Sequence, residues 1–279
     1  MTRALVLGGG GVTGVAWELG LLAGLAQRGV DLVGADLVVG TSAGSVVGAQ
    51  VCSGVPVQEL YAAQLRPAEG EVAARLGAGV LLRWAWAGGR SRDAVRSRAR
   101  VGAMACAART PSEASRRAVI EGRLPVREWP ARRLLVTAVD AASGEFVVFD
   151  AASGVSLVDA VGASCAVPGV WPPVTIGDRR FVDGGVRSAV NADLAEGAEA
   201  VVVVAPVSSA FGPMPRLAAQ VAALRRSARV VVVTPDAAAR RAIGRNVLDP
   251  ARRAGAARAG RAQAAAVADS VAAVWGPVG

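Results

Sequence analysis

The chain has no histidine and no lysine among its 279 residues. Without histidine there is no imidazole base for a conventional serine or cysteine triad, and the commonest metal ligand is gone. Without lysine, arginine carries every positive side-chain charge. Aromatics amount to 4% of the chain, so a core must pack through alanine, valine, leucine and glycine. That composition suits a parallel sheet buried on both faces. The cysteines, Cys52, Cys106 and Cys165, are few, odd in number and far apart. They exclude a disulfide framework and a cysteine metal cluster, and they point to free thiols in a reducing compartment. No metal or organic cofactor is expected. No uncharged apolar run reaches the about 18 residues of a membrane span. The apolar N-terminal stretch is broken by Gly8-Gly9-Gly10-Gly11 and by Glu18, which argues against a signal peptide. The expected location is cytoplasmic, with peripheral contact to a membrane left open.

What is present is a basic, small-residue chain of one-domain length. The formal charge is +9. Arginines concentrate between Arg83 and Arg133, including Arg90, Arg92, Arg96, Arg98 and Arg100. Compositional bias accounts for such a charge, and so does attraction to an anionic surface. Aromatics do not alternate with these arginines, and no nucleic-acid motif accompanies them, so a lipid surface is favoured over nucleic acid.

The apolar pattern alternates between strand and helix. Residues 4–7 read as a buried strand, 8–14 as a glycine loop, 15–27 as a helix, 36–39 as a second strand and 42–51 as a second helix. Residues 67–130 carry no strand signal and read as a helical insertion. Strands return at 134–140 and 145–149 around a Ser143-Gly144 turn, with a helix at 158–165. Further strands are expected at 180–182, 200–204 and 230–233. Asp249-Pro250 reads as the start of a glycine-interrupted last helix reaching about Trp275. The expectation is a single α/β domain over residues 1–279, a three-layer sandwich with a mostly parallel central sheet flanked by helices.

Three segments carry chemistry. Gly40-Thr41-Ser42-Ala43-Gly44 has the G-x-S-x-G form of a nucleophile elbow, between an apolar strand and a helix-like segment. As an ordinary feature, Ser42 would be a helix N-cap. Gly9, Gly11 and Gly14 fit G-x-G-x-x-G, which in a βαβ unit binds a dinucleotide pyrophosphate. That reading wants an acid at the end of the second strand, where this chain has Gly40-Thr41-Ser42 and places Asp36 at the start. The other use of such a loop is an oxyanion hole of backbone N–H groups at a helix N-terminus. Phe181-Val182-Asp183-Gly184-Gly185 reads as an exposed carboxylate on a mobile turn after a strand. Alone, it is an ordinary turn signal.

Together, and in this order, the three segments resemble the patatin-like phospholipases of bacteria. A fourth stretch, residues 163–173, resembles what that family carries shortly before its Asp-Gly-Gly. The resemblance covers about residues 3–205, and the strands and helix of 200–279 match loosely. It implies a Ser–Asp dyad, with Ser42 as nucleophile and Asp183 as base. It further implies oxyanion amides from Gly9, Gly10, Gly11, Val12 and Ala43, with Gly14, Gly40, Gly44, Gly184 and Gly185 shaping the turns. The absent histidine is then no objection. An aspartate is a weaker base than imidazole by about 3.5 kcal/mol, and a glycine-rich oxyanion hole or partial burial of Asp183 offsets such a deficit. The implied partner is a lipid or ester substrate. One departure is Thr13, where many family members place Arg or Lys. Leu81, Leu82, Trp84 and Trp86 of the insertion are candidates for an acyl channel or for plain packing. A non-catalytic lipid-binding module with the same fold is the alternative function, and a dinucleotide-binding protein the more distant one. Oligomeric state is left open.

Overall fold

The computed structural model describes residues 1–67, 70–89, 91–208 and 214–276, apart from the side chains of Ala78 and Leu81. β1 (Arg3–Leu7) leads into α1 (Gly11–Ala26), and β2 (Leu37–Gly40) into α2 (Ala43–Val51), followed by α3 (Val57–Leu65). α4 (Ala78–Gly89), α5 (Ala94–Ala107) and α6 (Glu113–Arg123) come before β3 (Arg133–Asp140) and β4 (Phe146–Phe149). Then follow α7 (Leu157–Ser164), β5 (Val174–Ile176), β6 (Arg179–Asp183) and β7 (Ala200–Val204). α8 (Leu217–Leu224), β8 (Arg229–Val233), α9 (Ala237–Ile243) and α10 (Arg253–Trp275) complete the order.

The sheet runs β5-β6-β3-β2-β1-β7-β8, with β4 also paired to β3. The pairs joining β3, β2, β1, β7 and β8 are parallel, and those made by β4, β5 and β6 are antiparallel. Successive side chains of a strand point to opposite faces, and both faces are covered. Leu5, Leu7, Val38, Val202 and Val204 join the core beneath α1, α2, α7 and α10. Ala4, Val6, Val39, Val201 and Val203 pack against α8 and the 3-10 turn Ala192–Ala195. This is the expected helix-flanked, mostly parallel sheet. The near-continuous valine runs of β7 and β8 are what burial on two faces demands.

Three differences from the sequence reading have clear causes. α1 begins at Gly11 rather than Val15, because Gly14 N–H already donates to Gly10 O at 2.8 Å. The glycine loop is therefore only Gly8 to Gly10, and Gly11 to Gly14 form the first helical turn. α10 is continuous through its glycines. A Cβ at Gly260 would sit 2.2 Å from Trp17 O, so the missing side chain lets α1 and α10 touch backbone to backbone. Trp17 Nε1 donates to Gln263 Oε1 at 3.0 Å across the same contact. β5, α8 and α9 carried too few periodic residues to be read at all. Within residues 67–130 the described residues form helices α4 to α6 and no strand. No helix among the described residues is long and apolar enough to cross a membrane.

The topology places the chemistry-bearing turns together. Gly8 and Thr41 leave the carboxyl ends of adjacent parallel strands, the edge where open α/β sheets bind ligands. Gly40 pairs with Val136 of β3, and Asp183 pairs with Ala138, two residues farther along. Strand register alone therefore brings the Asp-Gly-Gly turn beside the elbow.

Candidate active site

Ser42 has φ 53 and ψ −115, a backbone conformation that non-glycine residues rarely adopt. Such strain persists only where the surroundings impose it. Here Gly44 imposes it. A Cβ at Gly44 would lie 2.0 Å from Leu7 O, so only glycine lets the elbow press onto the end of β1. Gly44 N–H donates to Gly8 O at 3.0 Å and to Thr41 O at 2.9 Å, binding the elbow to the glycine loop. Ser42 N–H donates to Ser164 Oγ at 2.9 Å, and Ser42 O accepts from Ser45 Oγ at 2.7 Å and Cys165 Sγ at 3.3 Å. The backbone of Ser42 is thus held on three sides.

Asp183 is buried, not the exposed turn carboxylate its glycine neighbours suggested, with 4% of its surface accessible. It ends β6 under α7 and receives the Gly185 N–H at 2.7 Å on Oδ1. Burial raises its pKa to about 7, against the lowering pull of the Ser42 hydroxyl, the Gly185 N–H and the charge of Arg116. The Ser42 hydroxyl is thus near enough to Asp183 to pull its pKa down. Two other aspartates that follow strands, Asp140 and Asp150, are engaged elsewhere, and Asp178 is exposed on the turn between β5 and β6. Asp140 would be raised by burial, but the Ser143 and Ala142 amides and Arg179 hold it below the usual carboxylate range. Asp150 caps its own turn through Ala152 N–H and Ser153.

The glycine loop divides into used and unused donors. Gly9 N–H donates to Ala189 O at 2.7 Å, and Thr13 N–H to Val247 O at 3.2 Å. The amides of Gly10, Gly11, Val12 and Ala43 donate to no acceptor among the described residues. Gly11, Val12, Ser42 and Ala43 line one narrow cleft. Thr13 is turned away, its hydroxyl on Val247 O at 3.2 Å. Asp36, which a dinucleotide site would use, accepts from Arg3 N–H at 2.7 Å at the amino end of the sheet. It lies at the opposite end of β1 from the glycine loop.

Several residues around the site carried no sequence signal. Asn191, left-handed at φ 53, donates from Nδ2 to Thr41 Oγ1 at 3.0 Å and to Ser188 O at 2.8 Å, and it reaches Thr137 Oγ1 and Gly184 O at 3.4 Å. Thr41 Oγ1 and Thr137 Oγ1 are 2.9 Å apart. This buried network ties the elbow strand, β3 and the Asp-Gly-Gly turn to one side chain. Only the position of Asn191 in space reveals it, although Asn is the non-glycine residue that best tolerates this backbone. Ser164 and Cys165 lie within the fourth resembling stretch, so that stretch was informative before its residues had roles.

Over the cleft sit Glu71, Arg116, Arg123 and Trp171. The insertion thus supplies a charged roof. Its tryptophans divide. Trp84 donates from Nε1 to Pro168 O at 2.9 Å and anchors α4, whereas Leu82 and Trp86 are exposed and do not line the cleft. The Leu81 side chain and Arg90 fall outside the described residues. Of the arginine concentration, Arg116 and Arg123 turn inward, so it is not one solvated face.

Comparison with known proteins agrees with this geometry. A search of curated proteins finds no match. The fold is similar to VipD from Legionella pneumophila, with a TM-score of 0.52 and 15% identity, over 96% of this chain and 67% of that one. The type III effector protein ExoU aligns with a TM-score of 0.43 and 16% identity, over 97% of this chain and 53% of that one. A family model described as patatin-like phospholipase matches residues 5–196. That span holds the elbow, the glycine loop and the Asp-Gly-Gly turn, and the chain belongs to the patatin-like phospholipase family, whose members are lipid acyl hydrolases.

Proposed function

We propose that the chain cleaves fatty-acyl esters of lipids through a Ser42–Asp183 dyad and an acyl-enzyme. One observation carries this reading: a strained serine whose hydroxyl meets a buried carboxylate with a pKa raised to about 7. An ordinary aspartate would be too weak a base at neutral pH, and burial removes about 3 of the missing pKa units. Ser42 Oγ attacks the ester carbonyl while Asp183 takes its proton. The oxyanion is met by the unengaged amides of Gly10, Gly11, Val12 and Ala43, two of them in the first turn of α1, where the helix dipole adds to them. Gly9 is omitted from the donors, because its N–H is already bonded. The proton on Asp183 passes to the leaving alcohol as the tetrahedral intermediate collapses to the acyl-enzyme. Asp183 then deprotonates a water, which attacks the acyl carbonyl; as the C–Oγ bond breaks and the fatty acid leaves, Asp183 returns that proton to Ser42 Oγ. Gly14, Gly40, Gly44, Gly184 and Gly185 serve by keeping the three turns in contact. Leu82 and Trp86, exposed one helical turn apart on α4, suit contact with a lipid surface.

A fluorophosphonate probe tests the nucleophile. It labels the wild-type chain at Ser42 and fails on Ser42→Ala, and a panel of lipid esters read by mass of released fatty acid identifies the substrate. A well-folded wild type that takes no label leaves the non-catalytic lipid-binding reading in its place.

A further inference from the structure

The roof of the cleft contains an arginine with nothing to hold. Arg116 is 6% exposed, yet its Nε and Nη1 have no hydrogen-bond partner. Its guanidinium carbon lies over the Trp171 ring, 4.1 Å from the centroid. No carboxylate among the described residues is within ion-pair distance of it. Burying a guanidinium with unmet N–H groups is costly, and arginine stays charged at any physiological pH. Trp171 covers one side of the guanidinium. Arg116 lines the same cleft as Ser42, Gly11 and Val12.

Beside it, Glu71 forms a two-point pair with Arg123, 3.0 Å from Nε to Oε1 and 2.5 Å from Nη2 to Oε2. Burial would raise the Glu71 pKa, but Arg123, then Arg253 and Arg116, hold it below the usual carboxylate range. Arg253 also has a buried, unpartnered Nε. Three guanidinium groups therefore act on Glu71, and Asp183 is the other carboxylate that acts on Arg116, so positive charge stays in excess. Glu71 lines both the Ser42 cleft and a larger cleft of about 1290 Å³ that reaches Arg253 and α3. It stands where the two meet.

We propose that Arg116 is a specificity-determining residue that takes a phosphate group of the substrate beside the scissile ester, and that Glu71 holds the arginine cluster until that phosphate displaces it. The proposal rests on Ser42 cleaving an ester in the same cleft. A phosphate matches the requirement because its oxygens present a fork of acceptors to a guanidinium edge. Neutral glycerides supply no such group and leave the Arg116 N–H groups unmet.

The test compares palmitoyl glycerol phosphate with palmitoyl glycerol in mixed micelles, using the full chain. Removing the Arg116 charge also lets the Asp183 pKa rise, which slows both substrates alike, so the informative quantity is the ratio of their kcat/KM values. The wild type favours the phosphate ester. Arg116→Met lowers the ratio by about ten- to a hundredfold, chiefly through KM for the phosphate ester, and Arg116→Lys restores part of it. Glu71→Gln lowers KM for the phosphate ester. Inorganic phosphate competes with the phosphate ester and protects the chain against heat, and Arg116→Met loses that protection. A ratio unchanged in Arg116→Met overturns the proposal, as does a KM unchanged in Glu71→Gln, which serves as the second test should Arg116→Met fail to fold. Phosphate that alters turnover of the neutral ester without competing marks a site for free anion and overturns it too. If the wild type cleaves neither ester, the hydrolase reading fails, and phosphate protection that is or is not lost in Arg116→Met still decides the subsite.

Discussion

The floor and the roof of the cleft are built on opposite principles. The floor is backbone: three turns with glycines, one strained serine, one buried aspartate, and Asn191 joining them. Its groups are placed by strand register and close contact, so they have little freedom. The roof is long charged side chains from residues 71–123, a stack on Trp171 and an ion pair that can be exchanged. Reaction chemistry needs atoms held to fractions of an ångström, which is what the proposed dyad would draw from the floor. Choosing a substrate needs groups that can change partners, the part proposed for the roof. Changes in the floor should strike kcat and stability, and changes in the roof should strike KM.

The largest effect that could break this division is Asp183→Asn. Turnover should fall by about a thousandfold or more. The same change should stabilise the fold at alkaline pH. Burial holds the folded pKa near 7, above the ordinary carboxylate value, so ionising Asp183 costs stability once pH exceeds that ordinary value. Asp183→Asn should then raise Tm at about pH 8 and leave it little changed at about pH 4. In the wild type, kcat/KM should fall as pH drops below about 7, tenfold per unit, as a base becomes protonated. A flat pH–rate profile, or retained esterase activity in Asp183→Asn, would move the base out of the floor.

A smaller effect sharpens the comparison. Asn191→Ala removes donors to Thr41, Ser188 and Gly184 without touching the dyad. It should lower kcat by about ten- to a hundredfold and stability by about 2–3 kcal/mol, with KM little altered. If KM rather than kcat changed, the network would serve binding, and the floor would not be the rigid half. Chemical denaturation and steady-state kinetics on the same preparation separate the two.

The smallest effect lies under the floor. Glu18 is fully buried on α1, and neither carboxylate oxygen has a partner. Burial raises its pKa well above the ordinary value, against the pull of the Gly8 backbone. An acid of raised folded pKa weakens the fold increasingly as pH rises past its unfolded value. Glu18→Gln removes that dependence and should raise Tm by about 3 °C at about pH 8, with no gain at about pH 4. Equal shifts at both pH values, seen by calorimetry, would mean Glu18 is not neutral in the folded chain.

Much of the floor was legible before any coordinates. The glycine segments, the apolar strands before them and their order point to a parallel sheet with a serine elbow, because glycine and β-branched residues act locally on the backbone. Even so, the loop was read too long, since Gly11 to Gly14 join the helix once Gly10 O is available to accept. Asp183 was read as exposed because a two-glycine turn ordinarily faces solvent, and its burial under α7 is a tertiary fact. The roof was not legible. Arg116 is one arginine among many in a region that reads as a helical insertion, its charge ascribed to composition or to an anionic surface, and Glu71 lies in an unpatterned segment.

By itself, then, the sequence determined most of the strand-and-helix order, the serine at the elbow and the impossibility of an imidazole base. These follow from residue type and short-range spacing. Only the tertiary structure decided that β6 lies against β3 with Asp183 beside the elbow, that burial raises the pKa of this carboxylate to about 7, and that an unpaired arginine lines the same cleft. Those properties depend on strand register, desolvation and contacts between residues from tens to more than a hundred positions apart, and none of them has a local signature in the chain.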